Sequence, residues 1–302
     1  MTTSSPSRGS GAWALVLASL LWGTTGTAAS FFPDSVSPLA VGSSTMTVGG
    51  LLLFAASLRP ALRAIRDATS RRWLLLGALG VFVYPLAFYS SMSLAGVAIG
   101  NVVSLGTGPV FAALLEWVVE RHRPSTLWAA CTAVAIAGIV LLSLGDESTD
   151  APAIVPGVLL GLVAGLAYAL YTFCSSRGIR AGQSSRGVMG GMFGLGAVAL
   201  APVLVVFGAP LLQSWQSVGI AAYLALGPMF VAYLLFGVGM RTLRSSTATT
   251  ITLLEPVVAT VLAIVVVGER LGGIGWLGLA LILGAVTVLA TARRPASGSL
   301  SP

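Results

Sequence analysis

Few residues of this chain can do acid–base, nucleophilic or metal chemistry, because only nine of its 302 residues are Asp or Glu, one is His and two are Cys. His122 stands between Arg121 and Arg123 without the partners a catalytic or metal-ligating histidine needs, and it reads as a solvated loop residue. Cys131 and Cys174 lie in apolar stretches with no CxxC spacing, so they read as small packing residues rather than a disulfide, redox or zinc site. Glu255 is different. It falls about ten residues into an apolar run of about 22, near the midplane of a span of that length. Pro256 follows it and removes a backbone donor. An ionisable residue at that depth is a functional hypothesis in itself. Two readings stay open: a proton-coupling group, or a carboxyl that hydrogen-bonds a neighbouring helix and holds the bundle together.

Asn101 carries both a donor and an acceptor, which suits either a zwitterionic solute or a helix–helix bond. Aromatic residues with a polar tip divide by depth. Trp22, Tyr84, Tyr168 and Tyr233 fall at mid-helix positions where they can line a cavity, and Tyr89 and Tyr171 lie in the same runs as Tyr84 and Tyr168. Trp13, Trp73, Trp128 and Trp276 fall at the ends of runs, where such rings anchor to a membrane interface. Glu116 lies one turn from the end of its run, the place of an interfacial ion pair. The expected substrate-binding set is therefore Trp22, Tyr84, Asn101, Tyr168 and Tyr233, with Glu255 as the coupling candidate and no catalytic residue, metal or cofactor.

The elements that must position these residues are membrane helices. The chain is 56% hydrophobic and 8% charged, where a soluble domain carries about 25% charged residues. Its mean hydropathy is +0.95. Apolar blocks at 13–31, 38–58, 73–92, 97–119, 126–144, 155–175, 188–208, 217–238, 246–267 and 273–291 have the length that crosses a hydrocarbon core. They are too long for barrel strands, and helices satisfy their own backbone. The fold class is thus an all-α polytopic membrane protein of ten transmembrane helices.

Orientation follows from arginine. Of 16 basic residues, all but Arg270 fall in the termini or in alternate loops on one side, which places both termini in the cytoplasm. The same rule explains the net charge of +7 without a nucleic-acid partner, and it accounts for the most basic stretch, 59–73, read as a loop. Residues 99–118 and 246–265 align with Pro109 on Pro256, and Glu120-Arg121 and Glu269-Arg270 follow them. Each aligned segment is the fourth of five helices, and an odd-numbered repeat enters the membrane in opposite directions in its two copies. The organisation is a tail at 1–12, a five-helix repeat at 13–144, an extracytoplasmic connector at 145–154, a second inverted repeat at 155–291 and a tail at 292–302.

In LLWGTTGT at 20–27, LLEPVVATVLAIVVVGERL at 253–271 and WLGLALILGAV at 276–286, with a first-half echo in GPVFAALL at 108–115, the chain resembles the EamA-type branch of the drug/metabolite transporter superfamily. The resemblance spans nearly the whole chain. It implies two inverted five-helix repeats around a mid-membrane cavity, and export or exchange of small metabolites such as amino acids, with drugs or nucleotide sugars carried by relatives. GTGP at 106–109 has no acid where the second half has Glu255, so an acidic role is not duplicated.

The expected activity is alternating-access export or exchange of an amino acid or related compound across a bacterial inner membrane, driven by protons or by exchange. The expected partners are a small-molecule substrate and the lipid bilayer, in a monomer or a homodimer. A drug or nucleotide-sugar carrier of the same fold is the nearest alternative. An intramembrane lipid-modifying enzyme needs clustered acids or histidines, and a channel needs charged rings or a carbonyl filter; neither pattern is present. No Walker A motif is present to couple ATP.

Overall fold

The computed structural model describes residues 8–121, 126–144, 153–242, 251–252 and 254–291. His122, most of the connector, the outer parts of both tails and the start of the ninth apolar block lie outside them. The described residues form helices: α1 Arg8–Gly23, α2 Thr25–Ala29, α3 Pro38–Ala56, α4 Leu58–Arg66, α5 Ala68–Ala95, α6 Val97–Gly106 and α7 Gly108–Glu120. They continue with α8 Thr126–Leu144, α9 Ile154–Arg180, α10 Ser185–Phe207, α11 Trp215–Leu224, α12 Ala232–Thr242, α13 Leu254–Leu262 and α14 Gly273–Thr291. Seven spans are long and apolar enough to cross a membrane. Three shorter apolar helices, Thr126–Leu141, Leu254–Val267 and Gly273–Ala285, fall in the remaining three apolar blocks.

Local chemistry explains where these helices begin. Ser37 caps the Ala40 amide just before Pro38, and Ser184 caps the Gly187 amide, each satisfying a donor that a helix start leaves unpaired. Asp67 caps α5 through the Ser70 amide. The stretch 59–73, expected as a loop, is instead helix on both sides of Asp67. Its arginines are spaced so that Ala61 and Ala64 share a face, and both are fully buried while the arginines of α4 point outward.

Close packing rests on small residues, as membrane helices require. The central pair is α5 against α9, and α3 packs on α10, α8 on α14, and α1 on both α12 and α13. A side chain at Gly80 of α5 would come within 2.6 Å of the Ala167 carbonyl of α9, and one at Gly157 of α9 would meet Ala95 of α5 at 2.5 Å. Large apolar side chains such as Val205 and Leu159 face outward at 81% and 58% exposure, which is favourable where the solvent is lipid.

Two helices are interrupted near their middles beside a proline, and a third carries a proline and is widened at its end. The fourth apolar block divides at Thr107 into α6 and α7, with Pro109 in the first turn of α7. The eighth passes through a π-helical turn, Ala225–Val231, that contains Pro228. The ninth carries Pro256 and ends in a second π turn, Ala263–Val267. Proline removes a backbone donor and a widened turn absorbs the mismatch.

Candidate functional site

The interrupted helices surround a cavity of about 270 Å³, just under the usual range of small-molecule pockets. Trp22, Tyr84, Tyr168, Tyr233 and Glu255 all line it. Asn101 does not: it is fully buried in α6, away from the cavity, and neither its amide nitrogen nor its carbonyl oxygen has a hydrogen-bond partner. Placing Asn101 on the cavity wall required knowing which face of α6 turns inward. The wall is instead supplied by Val102 and Leu105.

Packing brings the aromatic residues together in two groups. Tyr84 lies 5.9 Å from both Tyr168 and Tyr171, and those two are 5.1 Å apart edge to face. On the other side Trp22 meets Tyr233 edge-on at 5.3 Å and Phe236 at 5.6 Å. The hydroxyls of Tyr171 and Tyr233, 3.4 Å apart, join the groups. Trp22 is fixed by its own indole N–H, which donates to the Pro228 carbonyl at 2.9 Å, an acceptor in the π turn. Its ring is left free to form wall.

Gly23 is the reason Trp22 and Glu255 share one space. A side chain there would come within 2.6 Å of Val258 and 3.1 Å of the Glu255 carbonyl, so its absence lets α1 lie directly against α13. Gly108 does the same for Tyr168, whose ring would meet an added carbon at 2.9 Å. Glu255 is the one carboxyl among the described lining residues, and no Arg or His lines the cavity beside it. Tyr89, Tyr171, Phe88 and Phe236 line it too. Phe88, Tyr171 and Phe236 follow Tyr84, Tyr168 and Tyr233 by three or four residues, a helical-face spacing that was available from the sequence.

Residues 9–144 and 155–291 match the EamA-like transporter family. The chain belongs to that family. Among relatives of this EamA-like protein, the uncharacterized transporter YwfM of Bacillus subtilis (strain 168) is 31% identical, with 93% of each chain covered. An uncharacterized transporter of Archaeoglobus fulgidus is 28% identical over 91% of this chain and 94% of its own. The uncharacterized inner membrane transporter YedA of Escherichia coli (strain K12) is 26% identical over 89% and 87%. A crystal structure with 24% sequence identity superposes with a TM-score of 0.63, covering 94% of this chain and 97% of the other, and shares the fold. This EamA-like chain is thus a multi-pass membrane transporter.

Proposed function

We propose that the protein is a secondary carrier of a small amphipathic metabolite of amino-acid size, exported or exchanged by alternating access, with the central cavity as its transport site. The observation that carries this reading is the cavity itself, enclosed by aromatic rings with a single carboxyl, Glu255, at the proline-interrupted helices. Ten spans in two inverted repeats, with both termini in the cytoplasm of a bacterial cell, complete the proposal. Counting apolar blocks in order, the third packs on the sixth as the eighth packs on the first, the fourth on the sixth as the ninth on the first, while second–seventh and fifth–tenth pair across the halves. That set of neighbours maps onto itself when the halves exchange, and the two family matches are of similar length.

In this mechanism the halves rock about the cavity, and the interruptions at Thr107, Pro228 and Pro256 are the places that bend. Glu255 carries the coupled proton while the site is empty, since no basic side chain among the described lining residues holds it ionised, and releases it when a cationic group takes its place. The test is flux of a labelled amino-acid panel and related small metabolites into proteoliposomes, with and without an imposed pH gradient. Saturable, gradient-dependent flux is expected for the wild type. Glu255→Gln should fold and lose the gradient dependence; unchanged dependence in that variant refutes the coupling role.

A further inference from the structure

The charges around the cavity are lopsided. Its described lining residues include one carboxyl and no Arg, Lys or His; the other polar side chains among them are those of Trp22 and of tyrosines and threonines. An α-amino acid brings a carboxylate as well as an ammonium. In such a space that carboxylate would meet no cation and would share a water-poor site with Glu255, and an unpaired buried charge is costly. The ammonium has the opposite experience. It finds Glu255 and the electron-rich faces of Trp22 and the tyrosines, the surroundings that attract organic cations.

Geometry supports the same distinction. Tyr84, Tyr168 and Tyr171 form a three-ring corner with centroids 5.1 to 5.9 Å apart. Trp22 and Tyr233 form the facing wall. Glu255 lines the same cavity as Tyr84, Tyr168 and Tyr233. Trp22 has its N–H committed to Pro228, and Tyr171 and Tyr233 have their hydroxyls turned to each other. The donors left, on the other tyrosines and the threonines, are neutral, and no cationic side chain is among the described lining residues to hold an anion.

We propose that the cargo is an organic cation, an amine on an apolar or aromatic body with no carboxylate, bound by Glu255 and the aromatic wall. This rests on the cavity being the transport site, and the test separates the two. Tyramine, tyrosine and 4-hydroxyphenylacetate share a phenol body and differ in charge; tryptamine, tryptophan and indole-3-acetate do so on an indole body. Binding of each labelled compound to the purified full-length protein would be measured in detergent, and its flux in proteoliposomes, with size-exclusion profiles as the check on folding. The amines should bind at least about tenfold more tightly than their amino acids. Glu255→Gln should remove that preference and Glu255→Asp restore part of it, and Tyr84→Leu should weaken amine binding where Tyr84→Phe does not.

Amino acids or acids binding as well as amines, with Tyr84→Leu still weakening them, would overturn the cation assignment and leave the cavity in place. Binding that no cavity variant alters would overturn both. A monodisperse wild-type protein that binds neither amine would also overturn the assignment.

Discussion

Glu120 and Glu269 each precede an arginine and each ends an apolar run with a proline near its middle, yet they close opposite ends of α6–α7 by different chemistry. Glu269 reaches across to the start of α6, where its two carboxylate oxygens accept from the Val97 and Ala98 amides, the latter at 2.9 Å. Gly96 makes this possible. Its φ of +89° turns the chain sharply out of α5, and its missing side chain leaves room for the carboxylate, which would sit 3.1 Å from an added carbon. A carboxylate there satisfies two otherwise unpaired donors and meets the positive end of the helix dipole. Glu120, 15% exposed, is held by Arg177 and Arg180 at 3.1 Å each, and the Arg177 guanidinium lies 4.8 Å over the Trp73 ring.

One end is therefore latched to backbone and the other to side chains. A latch to backbone amides lets go only when a helix moves, whereas side-chain pairs can re-form with small changes in rotamer. The two ends should therefore respond differently when their contacts are removed.

Removing the backbone latch should have the largest effect. Glu269→Ala strips both acceptors from the start of α6 and should cost about 3 kcal/mol, read as a lower midpoint of thermal unfolding in detergent. Glu269→Gln keeps one acceptor and should fall between. A variant as stable as wild type would remove the distinction between the two ends. Arg177→Ala, which loses a half-exposed ion pair and the contact over Trp73, should cost about 1 kcal/mol by the same measurement.

Salt sharpens the contrast further. At about 1 M salt exposed pairs are screened over a few ångströms, so the Arg177→Ala deficit should shrink while that of Glu269→Ala persists. The smallest expected effect belongs to Asp67, the exposed cap of α5. Its carboxyl accepts from the Thr69 hydroxyl at 2.6 Å, the Ser70 hydroxyl at 2.8 Å and the Ser70 amide at 2.9 Å, which holds its pKa at about 2, below the ordinary 3.8. A lowered value means stabilisation that is complete above 3.8 and lost as the pH falls toward 2. The difference in unfolding midpoint between wild type and Asp67→Asn should therefore narrow across that window.

Much of this protein is legible before any coordinates. Seven of the ten apolar blocks coincide with helices long enough to span, because a membrane imposes length and composition on each helix. The depth of Trp22, Tyr84, Tyr168, Tyr233 and Glu255 within their blocks selected residues that do line one cavity. Side-chain chemistry says nothing about azimuth: Asn101, chosen for its donor and acceptor, is buried and does not line the cavity. The stretch 59–73 shows another limit, since reading its arginines as a loop hid the buried alanine face of α4.

What the sequence determined by itself is therefore the one-dimensional part: how many apolar runs there are, how long they are, which residues fall near their middles and which side holds the arginines. Only the tertiary structure decided which faces turn inward, that Gly23 brings Trp22 beside Glu255, and that two similar Glu-Arg pairs meet a helix start in one place and arginines in the other. Hydropathy is a property of each segment against its solvent, whereas a cavity and a latch arise from side chains far apart in the chain, whose meeting depends on how every helix is rotated and packed.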